Sequence, residues 1–119
     1  GLVESLHGVY RGGLGVHLAL VAMAMDCGLA LDLSCVPAAD CPRDDLVLFS
    51  ESAERFIAVV APERREAFEH LFAGLPCACI GRVEDSRRLE IAGRTQPGAI
   101  GIDLDTLRQA WRTPFGDLI

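Results

Sequence analysis

The chain has 119 residues, a formal net charge of −6 and a hydrophobic fraction of 50%. This length and apolar content predict one domain, residues 1–119, with a substantial core. The acidic balance argues against a nucleic-acid backbone or an anionic membrane as partner, because like charges repel. The longest apolar run, residues 18–25, is too short to span a bilayer, and no stretch has the pattern of a signal peptide. We therefore expect a cytoplasmic location.

The first half of the chain predicts a strand within residues 2–9, a glycine-rich turn and an almost entirely apolar helix at 16–25. Ala, Leu and Met favour a helix, and Gly28 suits its C-terminal end. Because this helix is apolar all round, we expect it to be buried all round. A strand at 29–36 follows.

The second half predicts a short helix, a strand, an amphipathic helix, three strands and a last helix that Asp103 or Asp105 caps. The expected bounds of the first six are 44–49, 55–61, 62–74, 77–83, 88–93 and 99–104. The last helix closes at Pro114. The resulting order, β-α-β-(α)-β-α-β-β-β-α, predicts an α/β (α+β) fold, namely a layered α/β/α domain with a mixed sheet.

The five cysteines do not form a recognisable zinc pattern. Their number is odd and there is no Cys-x-x-Cys pair, so buried free thiols in a reducing cytoplasm are favoured over a metal site, which stays an alternative. The five are Cys27, Cys35, Cys41, Cys77 and Cys79.

The segment HGVYRGGLG, residues 7–15, contains the first candidate site. Glycines before a helix let backbone N–H groups approach an anion, so this segment is a candidate phosphate loop. It has neither a G-x-G-x-x-G pattern nor a Walker lysine. The alternative is that Gly12 and Gly13 only permit a tight turn. His7 stands beside the turn and could act as a base or a donor.

The segment LFSESAERF, residues 48–56, contains the second candidate. Hydroxyls of Ser50 and Ser52 with the Arg55 guanidinium could hold a phosphate, and Glu51 could hold a metal-bound water. The alternative is a capped turn at the entry to a strand.

Two further histidines lie within predicted helices. His17 and His70 are interpreted as partly buried side chains that already have hydrogen-bond partners, not as ligands. No residues can be linked into a Ser/His/Asp or Cys/His arrangement from the sequence, so no catalytic residue is assigned.

Taken together, the two candidate segments resemble those of the aminoimidazole-ribonucleotide-synthetase-related superfamily. HGVYRGGLGVHLALVAMA resembles its His-Asp-hydrophobic-Ser-Asp-Gly-Gly-Leu segment and the helix that follows, and LFSESAERF resembles its Leu-Phe-Ser-Glu-Ser-x-x-Arg-Phe segment. At this separation they are similar to the second C-terminal domain in the large subunit of phosphoribosylformylglycinamidine synthases. LPCACIGRV, LEIAG and AWRTPFGDLI also fit the close of that domain, so the resemblance covers nearly the whole chain.

The resemblance implies a partly ferredoxin-like fold and a place in an ATP-dependent ligase of purine biosynthesis. That enzyme converts formylglycinamide ribonucleotide, glutamine and ATP to formylglycinamidine ribonucleotide, glutamate, ADP and phosphate, with Mg²⁺. The chain would be an inactive C-terminal piece without a tightly bound cofactor, and its partners would be ATP-binding N-domains and a glutaminase domain or subunit. No metal ligand is implied. The implied substrate- or nucleotide-binding residues are His7, Arg11, Gly12, Gly13, Ser50, Glu51, Ser52 and Arg55.

The first segment departs from the family pattern at three positions. Gly8, Tyr10 and Arg11 stand where the family has Asp, Ser and Asp. Losing two carboxylates removes metal-holding capacity from this turn, and Arg11 reverses its charge. This is compatible with a structural or nucleotide-storing role, or with Arg11 meeting a phosphate.

Two alternatives stay open at this stage. The chain could belong to a relative in the same superfamily, such as thiamine-monophosphate kinase, selenophosphate synthetase or the hydrogenase-maturation dehydratase, although the Ser-Glu-Ser-x-x-Arg-Phe stretch argues against these. It could also be a non-catalytic ligand-binding or interaction module with a ferredoxin-like layout.

Overall fold

The computed structural model describes residues 1–37, 43–51, 55–94 and 98–113. Their six strands and four α-helices follow one another in the predicted order. The elements are β1 (Ser5–Val9), α1 (Gly13–Met25), β2 (Gly28–Asp32), α2 (Asp44–Phe49), β3 (Arg55–Val59), α3 (Arg65–Leu71), β4 (Gly81–Glu84), β5 (Arg88–Ala92), β6 (Ile100–Asp103) and α4 (Leu104–Arg112).

The mixed α/β class is confirmed. The strands form a two-stranded sheet of β1 and β3 and a four-stranded sheet in the order β4-β2-β5-β6. In the larger sheet β2 and β5 run parallel, whereas β4 and β6 are antiparallel to their neighbours. That sheet is therefore mixed, as predicted.

Several predicted strands are longer than the observed ones, and β2 and β4 differ most. β2 ends at Asp32 because the Asp32 carboxylate accepts hydrogen bonds from the backbone N–H and the hydroxyl of Ser34, at 2.9 and 2.6 Å. This local bonding turns the chain into a 3₁₀ turn at Leu33–Cys35. β4 starts only at Gly81, where the backbone approaches the Ala30 carbonyl too closely for a side chain.

The contacts divide the chain into two compact units, residues 1–18 with 35–79 and residues 19–34 with 80–119. Helix α1 contributes its first residues to one unit and its remainder to the other. The assignment of 1–119 as one domain stays a prediction.

In the first unit, β1 and β3 pair antiparallel with Gly8 opposite Phe56. Alternate residues of a strand point to opposite faces, and the two faces differ here. Val9 is 2% exposed, whereas Leu6 and Phe56 are 64% and 63% exposed. The buried apolar side chains of this unit are Val9, Leu14, Leu18, Val47 and Leu48.

In the second unit α4 follows β6 directly and meets the end of α1, where the Arg108 Nη2 atom donates to the Met23 carbonyl at 3.0 Å. Asp103 is the N-cap of α4, as predicted, and its carboxylate accepts a hydrogen bond from the Thr106 N–H at 3.1 Å. The buried apolar side chains are Val21, Ala22, Leu29, Leu33, Leu89, Ile91 and Leu104.

The prediction that α1 is buried on every side is wrong. Val16 and Ala24 are exposed and Leu20, between them, is only half-buried. Positions four residues apart share one helix face. That face of α1 is uncovered within the described residues, because apolar composition shows which side chains tolerate burial but not whether another element covers them.

The predicted amphipathic helix forms but is barely buried. None of the seven described residues of α3 is fully buried, and Leu71 is 66% exposed. Phe68 and Phe72 do share a face, with ring centroids 4.8 Å apart. Gly74 follows the helix with a φ of +86°, which suits a helix end.

In the described residues, no helix combines the length and the apolar character that crossing a membrane requires.

Candidate functional site

The glycine turn, residues 10–13, connects β1 to α1. The Gly13 N–H donates a hydrogen bond to the Tyr10 carbonyl at 3.2 Å, which closes the turn. Gly12 and Gly13 have φ angles of +94° and +81°. This left-handed region is favourable only for glycine, so the two glycines are required by the backbone itself.

The Ser-Glu-Ser bend, residues 50–52, meets the glycine turn in the first unit. The Gly12 N–H donates to the Glu51 Oε1 atom at 2.8 Å, across 39 positions of sequence. A Cβ atom on Gly13 would lie 2.7 Å from the Phe49 carbonyl carbon and 2.8 Å from the Leu48 oxygen. The two predicted site segments therefore lie side by side. Ser52 itself is outside the described residues.

Arg55, the first residue of β3, joins the bend from the other side. Its Nη2 atom donates to the Ser50 carbonyl at 2.7 Å. Its Nε atom is buried and finds no acceptor in the described part of the chain. Arg55 thus closes the bend and keeps a donor for which the described residues provide no partner.

His7 reaches the turn through His17, a residue that was not predicted to belong to the site. His17 is 7% exposed, and its Nδ1 lies 2.8 Å from the Nε2 of His7. Its own Nε2 accepts a hydrogen bond from the Tyr10 N–H at 3.0 Å and lies 3.1 Å from the Arg11 carbonyl oxygen. The available signal was a single polar residue in an apolar helix, one turn after the glycines.

The departures at Gly8 and Tyr10 are spatially linked. The Tyr10 ring lies over Gly8, where any side chain would overlap the tyrosine hydroxyl and ring. The ring also meets His17 edge-on, with centroids 6.1 Å apart. A side chain at position 8 would therefore require the exposed Tyr10 ring to move.

An anion would bind to side chains of the site in preference to its backbone N–H groups. The Gly12 and Gly13 amides already donate within the chain, and a ligand would reach Gly12 only by displacing Glu51. Arg11 is exposed and forms no ion pair within the ranges that the structure describes. Its guanidinium is therefore available to a phosphate or carboxylate.

The residues present do not fit a metal ion. Among the described residues no group of three His, Cys, Asp or Glu side chains is arranged to hold one. Cys41 lies outside the described residues, and none of the other four cysteines forms a disulfide with a described residue. Cys35, Cys77 and Cys79 are exposed and Cys27 is half-buried, so the expectation of buried cysteines is wrong for these four. The Glu51 carboxylate, which lies beside the glycine turn, already accepts a hydrogen bond from the Gly12 N–H.

Comparison with known families matches residues 1–94 to the model described as "AIR synthase related protein, C-terminal domain". Three similar relatives are each named phosphoribosylformylglycinamidine synthase subunit PurL. That of Lactobacillus helveticus is 37% identical over 112 residues, that of Deinococcus radiodurans 31% over 119, and that of Thermococcus kodakarensis 41% over 86. These alignments cover 94%, 100% and 72% of this chain but only 14%, 16% and 12% of the respective relatives.

Two solved structures have the same fold. Thermotoga maritima PurL complexed with FGAR superimposes with a TM-score of 0.77 at 19% identity, over 90% of this chain and 18% of that one. The same protein complexed with ATP also gives 0.77 at 19%, over 90% and 19% of the two chains. At 19% identity, this similarity shows a shared fold and nothing beyond it.

Proposed function

The chain belongs to the AIR synthase related family as a C-terminal domain, and from this membership we propose that it serves a phosphoribosylformylglycinamidine synthase as the second such domain. The observation that carries the proposal is the identity of 31–41% to synthase subunits over most of the chain. The proposed parent enzyme uses ATP to activate the formyl-amide oxygen of formylglycinamide ribonucleotide as a phosphate, which ammonia from glutamine displaces.

In this proposal the chain binds and orients a phosphate-bearing ligand and supplies no catalytic group. Arg11 contacts the phosphate through its guanidinium, and His7 donates a hydrogen bond beside it. Glu51 joins the Ser-Glu-Ser bend to the glycine turn, and Arg55 bonds the Ser50 carbonyl of the bend itself, which keeps these donors in place. The proposed ligand-binding surface comprises His7, Arg11, Gly12, Gly13, Ser50, Glu51, Ser52 and Arg55.

Mg²⁺ is not assigned to these residues, because no three of the described His, Cys, Asp and Glu side chains are grouped so as to hold it. We place the metal and most ATP contacts in N-domains of the parent enzyme. The proposed partners are those N-domains and a glutaminase domain or subunit, and the proposed location is the cytoplasm. The isolated chain would bind neither ATP nor Mg²⁺ tightly.

The test is an assay of the complete product of the gene that encodes this chain. We expect it to be longer than 119 residues and to form formylglycinamidine ribonucleotide from formylglycinamide ribonucleotide, ATP, Mg²⁺ and ammonia. The 119 residues alone should release no ADP above the blank. A complete product without this activity, or an active 119-residue chain, would refute the proposal.

Arg11→Ala in the complete product tests the binding role. Losing a charge-assisted hydrogen bond should raise KM for formylglycinamide ribonucleotide or for ATP by roughly tenfold or more. Arg112→Ala removes the same group from the exposed end of α4 and should leave both KM values unchanged. Equal KM values in wild type and Arg11→Ala would show that Arg11 does not contact the ligand.

A further inference from the structure

We propose that His17 is a positioning residue, which fixes His7 in the tautomer that offers its Nδ1–H to an oxygen acceptor of the ligand. The ligand part of this inference rests on the proposed function. The tautomer part rests on the geometry of the first unit alone, so the two can fail separately.

The buried member of the histidine pair is His17, which is 7% exposed. The Tyr10 backbone N–H can only donate, and it points at the Nε2 atom of His17 from 3.0 Å. That nitrogen must therefore accept, and the proton of a neutral His17 resides on Nδ1.

The opposite tautomer of His17 is less favourable. With its proton on Nε2, His17 could donate to the Arg11 carbonyl at 3.1 Å. The Tyr10 N–H would then face another N–H group instead of an acceptor. Unpaired backbone N–H groups are rarer in proteins than carbonyls with a free lone pair, so the Nδ1–H tautomer of His17 is favoured.

The tautomer of His17 determines that of His7. The Nδ1–H of His17 donates to the Nε2 of His7 across 2.8 Å, so that this second nitrogen is also an acceptor. The proton of a neutral His7 is therefore on Nδ1. No group in the described residues accepts from Nδ1 of His7.

This arrangement assigns His7 the role of a donor. Its one basic nitrogen is occupied by His17, which leaves no free lone pair with which to remove a proton from a ligand. Its remaining N–H suits a phosphate or carbonyl oxygen. His17 does not touch the ligand in this account. It acts through His7 and through the glycine turn that it holds at Tyr10.

The direct test is nitrogen-15 NMR of the histidine rings in the 119-residue chain at neutral pH. Long-range proton–nitrogen correlations show which ring nitrogen carries the proton. We expect Nδ1–H and an unprotonated Nε2 in both His7 and His17. An Nε2–H tautomer at either residue would overturn the inference without affecting the proposed function.

His17→Phe in the complete gene product tests the role in binding. The substitution keeps a ring but removes both nitrogens, so His7 should lose its fixed tautomer. KM for the ligand of Arg11 should rise at least severalfold while kcat changes little. His17→Asn, whose amide N–H can replace the Nδ1 donor, should recover part of the loss.

His70→Phe is the matched control, since His70 is exposed on α3, and it should change neither KM nor the His7 tautomer. An unchanged KM in His17→Phe, or a loss of kcat with KM intact, would contradict the positioning role. If His17→Phe fails to fold, the wild-type NMR measurement still decides the tautomers.

Discussion

Gly13 shows how one residue connects the two bends. Its φ of +81° requires glycine, and its α-carbon lies against the backbone of Leu48 and Phe49. The first constraint can be read from a Gly-Gly pair ahead of a helix. The second cannot, because it depends on a partner more than thirty positions away in the sequence.

Gly13→Ala should therefore lower the free energy of unfolding by more than the penalty for a positive φ alone. The matched control is Gly74→Ala, because Gly74 has a φ of +86° and nothing within 4 Å of its Cβ position. We expect Gly74→Ala to lower the free energy of unfolding by about 1–2 kcal/mol. Gly13→Ala should cost a further ~1–3 kcal/mol, as overpacking does.

Urea denaturation of both variants measures the difference. Equal losses of unfolding free energy in the two variants would mean that the glycine turn does not pack on the end of α2. The view that the glycine turn and the Ser-Glu-Ser bend form one site would then lose its main support.

The polar residues of the two segments could be identified from the sequence, but the contacts between them could not. The spacing of Ser50, Glu51 and Arg55 predicted a polar bend before a strand, and the strand β3 does begin at Arg55. It gave no indication that Glu51 would accept from Gly12. The role of His17 was missed for the same reason, since its partners His7 and Tyr10 meet it only after β1 has turned into α1.

Elements of the second unit are connected by an ion-pair cluster around Asp26. This residue follows α1 with a φ of +54°. Its carboxylate accepts from Arg87 at 2.6 Å and from Arg108 of α4 at 2.7 Å. Hydrogen bonds from Arg108 and Arg87 lower the pKa of Asp26 below its usual value of 3.8.

This shift predicts a pH dependence of stability. A carboxyl group whose pKa is lower in the folded state stabilises the fold above its unfolded pKa, near 4, and that contribution disappears as the pH falls through the folded pKa. Asp26→Asn keeps a residue that tolerates positive φ and removes only the charge. It should be less stable than wild type at pH 7, with a smaller difference at pH 3.

Chemical denaturation at the two pH values checks this, with Asp85→Asn as the control. The Asp85 side chain forms no hydrogen bond or ion pair with any described residue. If the stability difference between wild type and Asp26→Asn is the same at pH 7 and at pH 3, the lowered pKa of Asp26 is contradicted.

The order of the elements was predictable because each signal is local. Alternation marks β5, the Asp103 cap marks α4, and a glycine marks the end of α3. Strand ends and burial were less predictable. Whether β2 stops at Asp32 depends on the Ser34 contact, and whether Val16 is covered depends on elements elsewhere in the chain.

At the scale of the whole molecule, the chain accounts for a small part of its relatives. It spans 14–16% of the Lactobacillus and Deinococcus subunits. The family and the mixed fold followed from two sequence motifs, and the comparisons confirm both. Ligand contacts stay a prediction, because they depend on groups that only the parent enzyme would provide.

The central claim is that the glycine turn and the Ser-Glu-Ser bend, brought together by Gly12 and Glu51, form one ligand-binding surface in the parent enzyme. Hydrogen–deuterium exchange of the complete gene product tests it directly, with and without formylglycinamide ribonucleotide plus a non-hydrolysable ATP analogue. We predict that peptides containing residues 10–13 and 50–51 both exchange more slowly when the ligands are bound, whereas peptides from α4 do not change. Protection of only one bend, or of neither, would contradict the account.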